Sequence, residues 1–401
     1  MSNRKKTSRP ADVSRSAYYN QISIYIDIVC QPSTEDHIIS LNIRNIIRAL
    51  DLAAQHQMDE LFIQGTLAFW PFVQQRGLFA VAETYMGRVI DLARQNSDYG
   101  LEVIGLLRHG EALNEQGRFD DAYNDLRQGL LGACRLEDTE SIIDLKTKLA
   151  WVADNLGRYG EALTNYQEAL TMLEQQDDKF RIPDILFRLA GLLTNRAQQG
   201  DYDQARQYIL KGIEIAKNTN NTEKLAELIQ RLGVLVNNAS DPHEAIPYLR
   251  QSVELIRKTK NVISESFFLV NLAEALTKDG QIREANGCLA EAEILIQPLQ
   301  HIETLAFIKL KRGGIFVAES KFDEAEQEIL ASLKLAEGID HHWYKAASLL
   351  DLGDLYRVTG RIQEAKQAYE QCVVICQNGG GMSEIIKSAR DGLDHCHSAA
   401  I

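Results

Sequence analysis

Proline and aromatic residues are scarce in this chain: seven of its 401 residues are Pro and 7% are aromatic, against 45% hydrophobic residues. With so few helix breakers, and with Leu, Ala, Ile, Glu and Gln recurring throughout, the composition favours helix over sheet and excludes a collagenous or disordered chain. No apolar run approaches the ~18 residues of a membrane span. The basic start is not followed by the apolar core of a secretory signal, so a soluble, intracellular protein with no membrane partner is expected. The six cysteines, Cys30, Cys134, Cys288, Cys372, Cys376 and Cys396, are scattered through a large hydrophobic chain. That usage points to reduced thiols and a cytoplasmic compartment.

Positive charge is also in short supply. The formal net charge is -13, and attraction to a phosphate backbone depends on Lys and Arg replacing counterions, so nucleic acid is not an expected partner. The exception is the start, where Arg4, Lys5, Lys6, Arg9 and Arg15 oppose only Asp12. Without apolar periodicity, residues 1–17 read as a disordered basic arm, either simply solvated or serving as a targeting or phosphate-touching tail.

A chain of this length is either several globular domains or one elongated array, and internal repetition decides for the array. Ala82, Ala122, Ala162, Ala205, Ala245, Ala285, Ala325 and Ala365 each open an amphipathic stretch, at spacings of 40, 40, 43, 40, 40, 40 and 40. Five residues before each stand Gly77, Gly117, Gly157, Gly200, Ser240, Gly280, Ser320 and Gly360, where a turn needs left-handed backbone. Four residues after stand large residues, Met86, Leu126, Tyr166, Ile209, Leu249, Leu289, Ile329 and Tyr369. Seven after, mostly small residues from Val89 and Gly129 to Ser332 and Cys372 complete one helical stripe. The preceding helix has its own small place twelve residues before the alanine, at Gly110, Ala150, Gly233, Ala273, Gly313 and Gly353. In the 43-residue unit Ala190 fits that place if three extra residues lie within 195–199.

These columns resemble the tetratricopeptide repeat. The copy nearest its pattern is Leu349, Leu352, Gly353 and Tyr356, followed by Ala365 and Tyr369. The longer period and the missing closing proline are similar to the extended repeats of kinesin light chains, of spindle-orientation adaptors and of the sensor arrays of bacterial signalling ATPases. The resemblance implies an all-α, right-handed α-solenoid superhelix of about eight helix pairs over residues 58–378, with helical caps at both ends. Residues 18–57 read as an atypical N-terminal helical cap. Within them Tyr18 to Cys30 carries both a helical and a strand periodicity, and helix is preferred because nothing else offers a sheet. Trp70 fills the first small place and Pro71 follows it, which predicts a distorted first unit. Residues 379–401 read as a glycine break, Gly379 to Gly381, and a closing cap helix.

Catalytic signatures are missing too. No Gly-Lys-Ser/Thr follows the triple glycine, and neither His-Glu-x2-His nor Gly-x-Ser-x-Gly occurs. The chain therefore reads as no enzyme, with no catalytic residues, no metal and no cofactor. Cys372, Cys376, His395, Cys396 and His397 have ligand chemistry suited to zinc, but Cys372 and Cys376 fall in packing columns.

In stacked helix pairs the first helices line the concave side. Five residues after the small place stand Asn155, Asn195, Asn238 and Lys278, in four successive units. A side-chain amide donates and accepts, so such a row can clamp an extended peptide backbone, as in the asparagine ladders that the resemblance implies. Trp151 would add an apolar anchor beside it. The local alternative is that Asn merely suits the last turn of a helix before Gly. Glu111, Glu115, Asp144, Asp154, Asp184, Glu227, Glu274 and Asp354, against Lys278 and Arg357, make the same face acidic and predict a basic or neutral peptide. The expected function is a scaffold that binds a protein or peptide segment in its groove. The alternative is a signal-sensing array controlling a partner ATPase or transcription regulator. Apolar edges at the two ends would also permit a homodimer.

Overall fold

The computed structural model describes residues 10–31, 36–239, 241–299, 301–339, 341–379 and 382–398. Among these, every regular element is helical. The protein is an all-α solenoid. Two helices come first, α1 (Pro10–Cys30) and α2 (Asp36–Gln55). Helix pairs follow: α3 (Asp59–Arg76) with α4 (Phe79–Gln95), α5 (Tyr99–Glu115) with α6 (Phe119–Leu136), and α7 (Thr139–Asn155) with α8 (Tyr159–Gln175). Next come α9 (Ile182–Arg196) with α10 (Asp201–Asn218), α11 (Thr222–Asn238) with α12 (Pro242–Arg257), and α13 (Val262–Lys278) with α14 (Ile282–Ile296). The last pairs are α15 (Ile302–Ala318) with α16 (Phe322–Gly338) and α17 (His342–Val358) with α18 (Ile362–Gly379), and α19 (Ser383–Ser398) closes the chain. The chain forms two compact units, Met1–Lys148 and Leu149–Ile401, divided within α7.

In the first unit, Ile22 and Ile26 of α1, Ile46 and Leu50 of α2, and Phe62 and Phe69 of α3 form one buried core. Segment 18–30 is thus helix. Gly65 lets the three helices close up, since a Cβ there would lie 2.8 Å from Leu50 Cδ2 and 3.0 Å from Ile26 Cγ2. Two expectations need correction. Helix α1 begins at Pro10, inside the segment read as an arm; proline suits a helix start because its φ is already helical and its missing N–H has no partner to lose there. Residues 1–9 lie outside the described residues. Helix α3 also runs unbroken through Pro71, which is exposed, while Trp70 is buried.

The columns have a common packing logic. The alanine that opens each second helix is buried in all eight copies. Where the small place of a first helix is glycine, at Gly110, Gly233, Gly313 and Gly353, it makes room for the large residue four beyond that alanine. A Cβ on Gly233 would stand 2.7 Å from Leu249 Cγ, and one on Gly313 would stand 2.5 Å from Ile329 Cγ1. Both must be glycine for the two helices to meet at this distance, because even the Cβ of alanine would clash. At the turns Gly77, Gly117, Gly157, Gly200, Gly280 and Gly360 all have positive φ, as does Ser320; Ser240 lies outside the described residues. The extra residues of the 43-residue unit are stapled by Arg196, whose Nη2 and Nε lie 2.5 and 2.9 Å from the two oxygens of the buried Asp201.

In the second unit Tyr369 is clamped between two glycines, Gly353 of α17 and Gly392 of α19, each of which would place a Cβ 2.5 Å from its ring. Cys372 and Cys376 are buried in this core, and the Cys372 thiol donates to the Ala346 carbonyl at 3.3 Å. Gly379 ends α18, and Gly380 and Gly381 lie outside the described residues. Helix α19 packs on α17 and α18 and also reaches α9.

Candidate functional site

The second unit holds most of the residues singled out from the sequence. Three of them come together. Trp151 and Asp154 project from α7, and Asn195 of α9 donates to Asp154 Oδ2 at 3.3 Å. Asp154 is half-buried, its other oxygen has no hydrogen-bond partner, and burial pushes its carboxyl up to about 6, against the opposing pull of Asn195 and Arg231. Of the remaining positions, Lys278 and Arg357 pair within their own helices. Asn155, Asn238 and Lys278 are the last residues of their helices, and Asn238 is exposed. Lys278 pairs with Glu274 at 3.0 Å, and Arg357 pairs with Asp354 at 3.5 Å and donates to Tyr369 Oη at 3.4 Å.

The acidity read from the sequence is largely matched by cations. Lys224 pairs with Asp184 at 2.5 Å and also with Glu227. Lys311 pairs with Glu274 at 2.7 Å. In the first unit Glu111 receives Arg108 at 2.7 Å and Lys148 at 2.5 Å. The expectation of an acidic face therefore gives way to one of compensated charge.

Three of these cations, Arg108, Lys148 and Lys311, occupy a column that the sequence reading passed over. Two residues before each first-helix small place stand Arg108, Lys148, Arg188, Arg231, Asn271, Lys311 and Asp351. The column runs through the sequence at the same period as the alanines, on the side of the small place away from the turn.

Within the second unit this column behaves in two ways. Arg231 reaches from α11 onto α9, where its Cζ lies 4.1 Å from the centroid of Phe187. A Cβ on Gly191 would stand 3.6 Å from its Cζ, Nη1 and Nη2 alike, so the guanidinium lies flat over that glycine. Its Nε has no hydrogen-bond partner. Burial lowers its proton affinity to about 10, with Glu227 and Asp154 opposing and Arg188 adding to the effect. Arg188, one turn from Gly191 on α9, rests its Cζ 5.1 Å from the Trp151 ring centroid and interacts with Tyr166. Two guanidinium groups thus share one place, each on an aromatic surface.

Further along, Lys311 is shared between two carboxylates. Although burial opposes it, Lys311 and Lys278 hold Glu274 down at about 2. Asp351 is pushed up to about 7 by burial, with Lys311 opposing and Asp354 and Glu274 adding to the rise. Beside them Phe267, Phe307 and Trp343 form an aromatic shelf, with centroid separations of 5.0 and 6.3 Å. Phe267 and Trp343 are 38% and 41% exposed, so the shelf faces solvent. His341 Nδ1 accepts from Tyr344 N at 3.4 Å and caps α17. Among the described residues no group of three or more His, Cys, Asp or Glu side chains is placed to hold a metal ion, and no helix is long and apolar enough to cross a membrane.

One tetratricopeptide-repeat model matches residues 304–378, and a second such model matches residues 143–174 and 194–219. No curated protein matches the sequence. The fold is similar to a solved Rap protein complexed with competence and sporulation factor, with a TM-score of 0.62, 13% identity, and 93% of this chain and 99% of that one covered. It is also similar to the apo quorum sensor NprR from B. thuringiensis, with a TM-score of 0.60, 12% identity, and 90% and 99% covered. A third similar structure is the Rap conjugation gene regulator of the plasmid pLS20 in complex with the Phr* peptide, with a TM-score of 0.57, 14% identity, and 91% and 98% covered. Identities this low speak for the fold alone. The repeat models, the 40-residue columns and the stacked helix pairs agree, and residues 143–174, 194–219 and 304–378 carry tetratricopeptide repeats.

Proposed function

We propose that the chain is a non-enzymatic scaffold that binds a protein or peptide segment along the first helices of its second unit. The observation that carries this reading is the meeting of Trp151, Asp154 and Asn195 with Arg188 and Arg231 on α7, α9 and α11: polar atoms without partners beside aromatic surfaces, on rigid helices. Asn155 and Asn238 extend the row to the neighbouring helix ends, where amides would bond a peptide backbone irrespective of its side chains. Lys278 and Arg357 lie further along the same face. The cytoplasm is the compartment this reading assumes.

The test is affinity capture from a cell lysate, comparing the wild type with a Trp151→Ala, Asn155→Ala, Asn195→Ala, Asn238→Ala variant whose helicity is verified. A partner retained by the wild type and lost by the folded variant supports groove binding. Identical capture by both proteins sinks it.

A second reading is favoured by a specific similarity. Structures described as a quorum sensor, as a conjugation gene regulator with a bound peptide and as a Rap protein with a bound factor each share the fold over at least nine-tenths of both chains. In this reading peptide binding is a signal that switches a partner ATPase or transcription regulator. It requires the captured partner to change its hold on the protein when a groove ligand is added; an unchanged hold rejects it.

A further inference from the structure

From α5 onward, the turn that leads into each first helix carries a capping side chain. Asp98, Asp138 and Asp178, then Asn221 and Asn261, then His301 and His341 follow one another at intervals of 40 or 43 residues. Each accepts a hydrogen bond from the backbone N–H three residues on, at 3.0 to 3.4 Å. Asp and Asn are the ordinary choice, because a side-chain oxygen accepts throughout the neutral range. Imidazole accepts only through an unprotonated nitrogen, so His341 caps α17 as the neutral tautomer with its proton on Nε2. A proton on Nδ1 would turn that acceptor into a donor and set a positive charge at the positive end of the helix.

The two histidines are not equivalent. His301 shares its Nδ1 with the Thr304 hydroxyl at 3.1 Å. Three residues beyond His341 stands Tyr344 instead, whose ring centroid lies 4.5 Å from that of the imidazole. Tyr344 meets Trp343 at 5.0 Å and Trp343 meets Phe307 at 6.3 Å, so this cap holds the outer end of the aromatic shelf. Burial is the largest influence on the His341 ring and lowers its proton affinity, with His342 and Lys345 of α17 adding to the effect; Glu303 of α15 and a backbone hydrogen bond oppose it. Among the described residues these are the charged groups that bear on the ring. Glu303 occupies the place that Glu223 occupies two pairs earlier. There Asn261, the cap of α13, donates to Glu223 at 2.8 Å while accepting from Ser264 N at 3.1 Å. An amide does both at once, whereas an imidazolium can only donate.

We propose that His341 is a proton-operated latch with two alternative partners: neutral, it caps α17 and keeps Trp343 against Phe307; protonated, it gives up the Tyr344 N–H and turns to Glu303. The outer end of the shelf is then presented at neutral pH and withdrawn in mild acid, as the first turn of α17 frays. The latch operates whether or not a ligand lies on the shelf.

Amide hydrogen exchange of the full chain, followed by NMR from pH 7.5 to 5.0, tests this at Tyr344 and Lys345, with Ser264 and Glu265 as the reference. The Asn261 cap does not titrate in that range, so the first turn of α13 reports any general loosening. The ordinary imidazole pKa is about 6.5, so the closed turn of α17 keeps its full advantage above that pH and loses it as the pH falls below. Protection at Tyr344 is expected to fall at least about tenfold relative to Ser264. In His341→Asn the two turns change together. In Glu303→Gln the fall moves to lower pH, because the group that favours the proton has gone. A constant ratio of Tyr344 to Ser264 protection in the wild type overturns the proposal, as does a fall that survives in a folded His341→Asn variant or a midpoint unmoved by Glu303→Gln. The wild-type ratio decides by itself, so a variant that fails to fold leaves the test intact.

Discussion

Arg231 and Lys311 occupy the same column of the same unit, two repeats apart, and their surroundings are opposite. Arg231 has a like charge beside it and no ion pair, whereas Lys311 is 2.7 Å from Glu274 and serves Asp351 as well. One repeat position can therefore furnish either a cation stacked on an aromatic ring or a cation consumed in joining successive first helices. Removing a partner from a deep, satisfied pair is costly, while removing a charge that has no partner is not.

The largest effect should come from Glu274→Gln, which strands Lys311. A loss of about 3 kcal/mol is expected near neutral pH, read as a lower urea midpoint. Glu274 has its carboxyl lowered to about 2 from 4.5, so its contribution is full above pH 4.5 and is lost as the pH falls through 2. A Glu274→Gln penalty that persists at pH 2 would contradict the pairing.

Asp351→Asn should have the opposite sign. Its carboxyl is raised to about 7 from 3.8, so the ionised form costs stability above pH 7 and that cost fades as the pH falls toward 3.8. At pH 8 the substitution should stabilise by about 1 to 2 kcal/mol, and at pH 4 it should be neutral. The midpoint difference between those two pH values is the measurement.

Asp154→Asn follows the same direction with less force. Its carboxyl is raised to about 6, so a gain of about 1 kcal/mol is expected above pH 6 and none at pH 3.8. Keeping the Asn195 contact limits the change. The smallest effect is assigned to Arg231→Gln, within about 0.5 kcal/mol in thermal or urea unfolding, because relief of the Arg188 repulsion offsets lost contact with Phe187. If Arg231→Gln costs as much as Glu274→Gln, the contrast between the two stations collapses.

Most of the fold was legible because the physics repeats every 40 residues. A residue such as Gly233 has to be small wherever Leu249 meets it, and that demand recurs at Gly110, Gly313 and Gly353. The turns within pairs were legible through glycine. Those between pairs were not, although Gln57, Ser97, Glu137, Asp177, Asn220 and Lys260 share the left-handed backbone there. No common residue type marks them, because the packing of the flanking helices imposes the conformation. The site was only half legible. Trp151, Asp154 and Asn195 are brought together, but periodicity alone does not say that Asn195 is committed to Asp154 or that Glu274 is committed to Lys311. Those are contacts between helices some 40 residues apart, and they decide which charges remain available.

The closing helix α19 reaches back to α9, the helix that carries Arg188 and supports Arg231. The second unit therefore resembles a clasped bracelet rather than an open trough. In the proposed reading, a ligand lying along its inner face would have to thread in from one side or wait for the clasp to part, so residence time would be set by the clasp as much as by the contacts within. Loosening the α19 end should speed arrival and departure together and leave the equilibrium almost unmoved.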